Sequence, residues 1–179
     1  YDALGNMLTA SRGGATVTLG YDTAGRKLSM NDPDMGNWSY AYDALGSMTS
    51  QTDARGCVTN LGYDLLGRPL TKTYSNCPST PGVTYVYDQG TNGIGRKHSV
   101  SDASGLTIWN YDIRGRVTSE AKQFTGYTQF ATSYTYNAAD MPVSMTYPDG
   151  EVVNFTYTNQ MLLDSVVGTD TYVFDTQYD

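Results

Sequence analysis

The chain has 179 residues, of which 39% are hydrophobic, 12% aromatic and 16% charged, and its formal net charge is −7. The low charged fraction excludes coiled coils and helical bundles, which are rich in Ala, Glu, Lys and Leu. The acidic balance argues against nucleic-acid binding, which needs clustered Lys and Arg.

The first and last residues of the sequence carry the same dipeptide, Tyr1-Asp2 and Tyr178-Asp179. We therefore expect a piece of a longer protein, divided at matching points of a repeat. No apolar run approaches the roughly 20 residues that a membrane-spanning helix needs. We accordingly expect no membrane span in this segment.

A Tyr-Asp-x-x-Gly unit recurs along the sequence, and periodic self-similarity of this kind is typical of repeat architectures. Full copies begin at Tyr1, Tyr21, Tyr42, Tyr63 and Tyr111. Divergent copies begin at Tyr87, Tyr136 and Tyr157, and Tyr178-Asp179 starts another. The sequence predicts one repeat segment over residues 1–179, with about eight repeats of about 21–25 residues, within a larger repeat domain.

Each repeat carries two turn signals. An Asp at the head of a tight turn bonds its own backbone, and a Gly supplies positive φ. The Asp-x-x-Gly pattern therefore predicts a three-residue hairpin loop. A second turn signal lies midway between copies, as at residues 53–56, 102–105 and 148–150. The predicted repeat-turn residues are Asp22, Gly25, Asp43, Gly46, Asp64, Gly67, Asp112 and Gly115.

The strand that leads into each Tyr-Asp alternates large and small side chains. Before Tyr42, for example, Trp38 and Tyr40 alternate with Ser39 and Ala41. This period of two predicts one aromatic face and one small polar face. Equivalent residues on every second strand lie roughly 9–10 Å apart, which predicts a tyrosine ladder. Its members are Tyr21, Tyr42, Tyr63, Tyr87, Tyr111, Tyr136 and Tyr157.

The predicted fold class is all-β, with tandem antiparallel β-hairpins and no helices. About sixteen or seventeen strands would exceed the roughly ten at which open twisted sheets usually curl. We expect the sheet to curl or spiral and to form part of a hollow β-shell or tube.

The repeat unit resembles that of the YD-repeat, or Rhs-type, family. Residues 21–26, 63–68 and 111–116 match the full Tyr-Asp-x-x-Gly-Arg motif, and Thr/Ser-Asp-x-x-Gly lies between copies. The resemblance covers essentially the whole chain. The family includes bacterial Rhs proteins, the C component of insecticidal toxin complexes, and the teneurins.

The resemblance implies a spiral of hairpins that forms a shell, which in bacterial members encloses a C-terminal toxin. We expect a structural wall segment of a large secreted or delivered bacterial protein, located outside the cell or at its surface. The alternative is a repeat unit of an extracellular fibre or adhesive stalk. The expected partners are neighbouring repeats and either an enclosed toxin domain or further copies in a fibre.

Rhs-type shells end in an aspartyl self-cleavage site. Residues 32–36 are superficially similar to its motif but lack the spacing, so the activity is not carried over.

Candidate chemistry is sparse, and we expect neither an enzyme nor a cofactor. His98 is the only histidine, so any Ser-His-Asp arrangement would depend on it, and it lies in a strand-like stretch. Bound Ca²⁺ needs six to eight converging oxygens, whereas turn capping explains the repeated Asp residues without a metal. A carbohydrate-binding module or glycosidase would require paired carboxylates in a cleft, which repeated turn residues do not offer.

Two further pairs of residues are candidates for covalent modification. Cys57 and Cys77 lie 20 residues apart, close to one repeat, so they are either a disulfide of an oxidising compartment or two thiols. Asn37 and Asn154 begin sequences that match the N-glycosylation signal, which in a bacterial protein is more often coincidence.

Overall fold

The computed structural model describes residues 1–176, so the repeat start at Tyr178 lies outside the described residues. Within them the chain forms β-strands joined by turns, without a helix. The strands are β1 (Thr9–Arg12), β2 (Ala15–Tyr21), β3 (Lys27–Asp32), β4 (Gly36–Tyr42), β5 (Met48–Thr52), β6 (Val58–Tyr63), β7 (Pro69–Ser75), β8 (Val83–Tyr87), β9 (Lys97–Asp102), β10 (Gly105–Tyr111), β11 (Val117–Phe124), β12 (Gln129–Tyr136), β13 (Pro142–Thr146), β14 (Val152–Tyr157), β15 (Leu163–Val167) and β16 (Thr171–Val173).

The chain divides into two compact units, Tyr1–Thr84 and Tyr85–Asp179. In each unit the strands pair antiparallel with their neighbours in chain order. The predicted all-β class, built of tandem hairpins, is therefore confirmed. Both units use the same repeat, and the prediction of one repeat segment over residues 1–179 stays a prediction.

A β-bulge precedes the repeat tyrosine in both units. In the first unit Tyr42 lies opposite Met48 while Ala41 lies opposite Ser50, so the partner strand has one extra residue. The same shift occurs just before Tyr21, Tyr63, Tyr111, Tyr136 and Tyr157. Because bulges bend a strand and increase its twist, every such repeat carries a bend at the same place.

The two faces differ in exposure in some strands, whereas every residue of β6 is half-buried. In β4 and in the second half of β12, half-buried residues alternate with exposed ones. The core is nevertheless thin. Val153, at 3% exposure, and Ala121, at 7%, are the buried hydrophobic residues among those described. A single layer of strands buries little apolar area, so the hydrophobic effect contributes less here than in a two-layer domain.

The Tyr-Asp turns have the predicted three-residue geometry. The amide of Asp22 donates to the carbonyl of Arg26 at 2.9 Å, and the amide of Gly25 donates to the carbonyl of Asp22 at 3.0 Å. Gly25 has φ of +77°, which glycine adopts without strain. The turns that end at Gly46, Gly67 and Gly115 repeat this arrangement.

The midway turns vary more. Asp53 heads a three-residue turn like the Tyr-Asp turns. The amide of Asp53 donates to the carbonyl of Cys57, and the amide of Gly56 donates to the carbonyl of Asp53. By contrast, Asp102 lies directly opposite Gly105, which leaves a two-residue turn. Residues 1–176 contain no helix that is long and apolar enough to cross a membrane.

Replacing Gly67 by Ala tests the backbone requirement alone. A Cβ at Gly67 would have no other heavy atom within 4 Å, and φ is +75°, so the penalty is conformational. We expect Gly67→Ala to lower the free energy of unfolding by about 1–2 kcal/mol, measured by urea denaturation of the 179-residue chain. Gly67→Asn, which tolerates this φ better, should lose less. Equal stability of wild type and Gly67→Ala would contradict the assignment.

Candidate functional site

The repeated Asp side chain caps its own turn. Oδ1 of Asp22 accepts hydrogen bonds from the amides of Ala24 and Arg26, both at 2.9 Å. Asp43, Asp64 and Asp112 accept the same two amide bonds, from the residues two and four positions later. Asn137, which replaces Asp in a divergent copy, does so through its amide oxygen. The capping therefore needs an oxygen acceptor but not a charge.

In the full copies whose turn glycine is followed by Arg, the Asp also holds that Arg. Nε of Arg26 lies 2.6 Å from Oδ2 of Asp22, and Arg68 and Arg116 pair in the same way with Asp64 and Asp112. The pair fixes the guanidinium beside the next turn. Nη1 of Arg26 donates to the carbonyl of Asp43 at 3.0 Å.

Arg26 and Arg116 also lie over the tyrosine ring of the following repeat. The guanidinium carbon of Arg26 is 5.1 Å from the ring centre of Tyr42, and that of Arg116 is 4.7 Å from the ring centre of Tyr136. A cation over the face of an aromatic ring at this distance is attracted by the ring quadrupole. One arginine thus joins two consecutive repeats.

The tyrosine hydroxyl makes the second bond between repeats. Tyr42 ends β4, and its hydroxyl donates to the carbonyl of Lys27 at 2.9 Å, one repeat earlier. The acceptor is the first residue of the strand that follows the preceding Tyr-Asp turn. Tyr63, Tyr111, Tyr136 and Tyr157 bond the equivalent carbonyls of Met48, Lys97, Val117 and Pro142 at 2.6–2.9 Å.

The predicted ladder residues all occupy the last position of a strand, including Tyr21 and Tyr87. The contacts that join successive copies are made by hydroxyls and by arginines. Burial raises the pKa of Tyr157, and burial is also the main cause of the raised pKa of Tyr136. The hydroxyls of Tyr136 and Tyr157 therefore remain protonated donors at neutral pH. A continuous ladder of tyrosine side chains stays a prediction.

Divergent turns keep the geometry without glycine. Asp140 and Met161 occupy the glycine position of their turns with φ of +65° and +66°. Asp140 uses its position to bind cations of the preceding turn, since its two oxygens lie 2.7 Å from Nη2 of Arg114 and from Nη1 of Arg116. The repeat motif did not predict this bridge, because the motif has glycine at this position. Asp can replace glycine here because it tolerates positive φ.

The structure joins Cys57 and Cys77 in a disulfide, with the two Cα atoms 4.8 Å apart. Cys57 immediately precedes β6 and Cys77 closely follows β7, and these strands form one hairpin. The disulfide thus closes the open end of a single hairpin. It also anchors the connection that leads to β8.

Asn37 and Asn154 lie in β4 and β14 with exposed side chains on the small polar face. His98 lies within β9 and is half-buried, and its Nδ1 has no hydrogen-bond partner in the described part of the chain. Among residues 1–176, no three His, Cys, Asp or Glu side chains come close enough together to hold a metal ion.

Solved structures similar to this chain include TcdB2-TccC3 complexes and a Tc holotoxin pore. A TcdB2-TccC3 complex without its hypervariable C-terminal region aligns with a TM-score of 0.74 and 15% identity, covering 100% of this chain and 12% of that chain. A Photorhabdus luminescens Tc holotoxin pore aligns with a TM-score of 0.72 and 18% identity, covering 87% of this chain and 9% of that chain. A complex described as TcdB2-TccC3-TEV aligns with a TM-score of 0.67 and 16% identity over 93% of this chain and 11% of that chain.

The chain has the fold predicted from its resemblance to the YD-repeat family. The chain spans only 9–12% of the length of these toxin-complex proteins, so the likeness concerns the repeat and not the whole assembly. No protein-family model matches the sequence, and the comparison with curated proteins found no match.

Removing one tyrosine hydroxyl tests the bond between repeats. Tyr136→Phe leaves the ring under Arg116 but leaves the carbonyl of Val117 without this donor. We expect the free energy of unfolding to fall by about 1 kcal/mol, measured by urea denaturation. Tyr136→Leu, which also removes the cation–π contact, should lose more. Tyr127→Phe is the matched control, because Tyr127 is 71% exposed, and it should leave stability unchanged; a loss as large as that of Tyr136→Phe would contradict the role of the hydroxyl bond.

Acid should weaken the capped turns. The amide of Arg26 lowers the pKa of Asp22 below its ordinary value of 3.8, against partial desolvation and with help from the Arg26 side chain. A lowered pKa means that the carboxylate stabilises the fold fully at pH values well above 3.8, and that this contribution disappears as the pH falls through the lowered value.

Asp22→Asn keeps the capping oxygen, as Asn137 does, but removes the charge. We expect its stability to fall less between pH 5 and pH 2.5 than that of the wild type, measured by urea denaturation across this range. Asp34→Asn removes the same charge from an exposed turn position and serves as the control. An acid response of Asp22→Asn identical to that of the wild type would refute the prediction.

Proposed function

We propose that this chain is a wall segment of a hollow β-shell in a large secreted or delivered bacterial protein, and that the shell encloses a C-terminal toxin domain. The observation that carries the proposal is the contact between repeats. Each tyrosine hydroxyl described above bonds the preceding repeat, so the sheet grows by adding hairpins. The function of this segment is to form an extended surface rather than a cleft.

The similar structures support this role. The chain aligns over 87–100% of its length with parts of toxin complexes, one of which is described as lacking a hypervariable C-terminal region. We propose that the repeats of this chain serve as the same kind of wall in the protein to which they belong.

We further propose that the segment has no catalytic role. The bonds of its repeated carboxylates support this view, since Asp22, Asp64 and Asp112 are each occupied by two backbone amides and an arginine. Carboxylates used in this way hold turns in place.

The disulfide between Cys57 and Cys77 supports an extracellular or cell-surface location, because disulfides persist in oxidising compartments.

Electron microscopy of the intact parent protein tests the shell. We expect discrete hollow particles with density inside and a C-terminal domain protected from added protease. Filaments with an axial repeat would overturn the shell and favour an extracellular fibre.

A matched pair of variants links the result to this chain. The double variant Tyr136→Leu and Tyr157→Leu removes two bonds between repeats and should expose the enclosed domain to protease sooner. The exposed Tyr127→Leu should not. If the double variant and Tyr127→Leu gave equal protection, these repeats would not form the enclosing wall.

A further inference from the structure

The basic residues of this chain are confined to its first 122 residues. All 11 Lys and Arg residues lie at or before Lys122, whereas seven carboxylates follow it. Residues 1–122 hold equal numbers of acidic and basic residues, so the formal charge of −7 belongs entirely to residues 123–179. The last repeats therefore carry an uncompensated negative charge.

Elsewhere the chain covers its aromatic face with its own lysines. Nζ of Lys27 lies 4.4 Å from the ring centre of Tyr40, and Nζ of Lys97 lies 4.5 Å from that of Trp109. Lys122 lies 5.6 Å from the ring centre of Phe124. Each lysine combines an apolar stem with a charged end, so it fits a ring and the neighbouring apolar side chains at once.

The acidic repeats contain a pocket on their aromatic face that lacks such a lysine. Its volume is about 430 Å³, within the usual range of ligand sites. The lining residues are Met145, Tyr147, Asp149, Glu151, Val153, Phe155, Val166 and Tyr172. Val153 is 3% exposed, whereas Tyr147 and Tyr172 are 41% and 54% exposed, so an apolar floor lies beneath open aromatic walls.

The carboxylate in this pocket is held in place. Oε1 of Glu151 accepts the hydroxyl of Tyr172 at 2.6 Å and the amide of Thr169 at 3.0 Å. These two bonds tie the turn before β14 to β16 and to the turn before it. Because this carboxylate is already held beside aromatic rings, a cationic ligand can bind it without the entropy cost of immobilising the side chain.

We propose that this pocket binds the lysine side chain of a basic polypeptide segment. The stem lies against Met145 and Val166, and the ammonium lies between the aromatic rings and the carboxylates of Asp149 and Glu151. The proposal rests on charge complementarity and on the way the chain itself places lysines over aromatic rings. It does not depend on the shell, because the pocket lies within consecutive repeats of one unit.

Methyl NMR of the full chain with ¹³C-labelled methionine tests the site, since Met145 lines the pocket. The probe is the peptide acetyl-Gly-Gly-Lys-Gly-Gly-amide, and the control is the same peptide with Nε-acetyl-lysine. We expect a saturable shift of the Met145 methyl signal with the lysine peptide, weakened by added salt. The neutral peptide should bind at least about tenfold more weakly. No saturable shift, or equal binding of the two peptides, would overturn the proposal.

Two pairs of variants locate the binding. The double variant Asp149→Asn and Glu151→Gln should weaken binding of the lysine peptide at least about tenfold, while Asp175→Asn removes an exposed carboxylate outside the pocket and should leave it unchanged. Tyr172→Phe keeps the ring and should bind, whereas Tyr172→Leu should not. An unchanged signal from Met141, which lies in the same unit but outside the pocket, shows that a variant is folded. Equal affinity of the double variant and Asp175→Asn would refute the site.

Discussion

The hydrogen bond from the repeat tyrosine to the preceding repeat is the constraint on which the rest of this structure depends. A sheet one layer thick has a small buried core, so its strands need order from another source. Tyr42, for example, supplies it by reaching one repeat back to Lys27 while Arg26 lies over its ring. Ring, cation and hydroxyl together fix how each hairpin lies on the one before it.

The turn and the bulge make that bond repeatable. The capping Asp and the Gly at positive φ set a three-residue loop. The strand that follows this loop has one extra residue where it pairs with the repeat tyrosine. The first carbonyl of that next strand is the one that the following tyrosine binds. Local turn chemistry therefore determines a contact between residues about 15 positions apart in sequence.

Much of the fold follows from the sequence because its signals are local. The Asp-x-x-Gly turns, the strand alternation and the class of hairpin repeat depend on neighbouring residues, and periodicity reveals them. The arginine contacts depend on which side chain of the next repeat lies within reach, which periodicity does not state. The bridge from Arg114 and Arg116 to Asp140 was hidden for a further reason, since Asp140 stands where the motif has glycine.

The same dependence on neighbours explains why the divergent repeats can acquire a separate role. In an array whose units contact only adjacent units, stability is close to a sum over repeats and their interfaces, so one repeat can change while the others hold. Residues 123–179 have lost every Lys and Arg but keep the tyrosine bonds of Tyr136 and Tyr157. The repeat before Tyr157, residues 136–156, contains no arginine, and the hydroxyl of Tyr157 still bonds that repeat. The aromatic face that the cations leave uncovered is free to bind a cation from elsewhere.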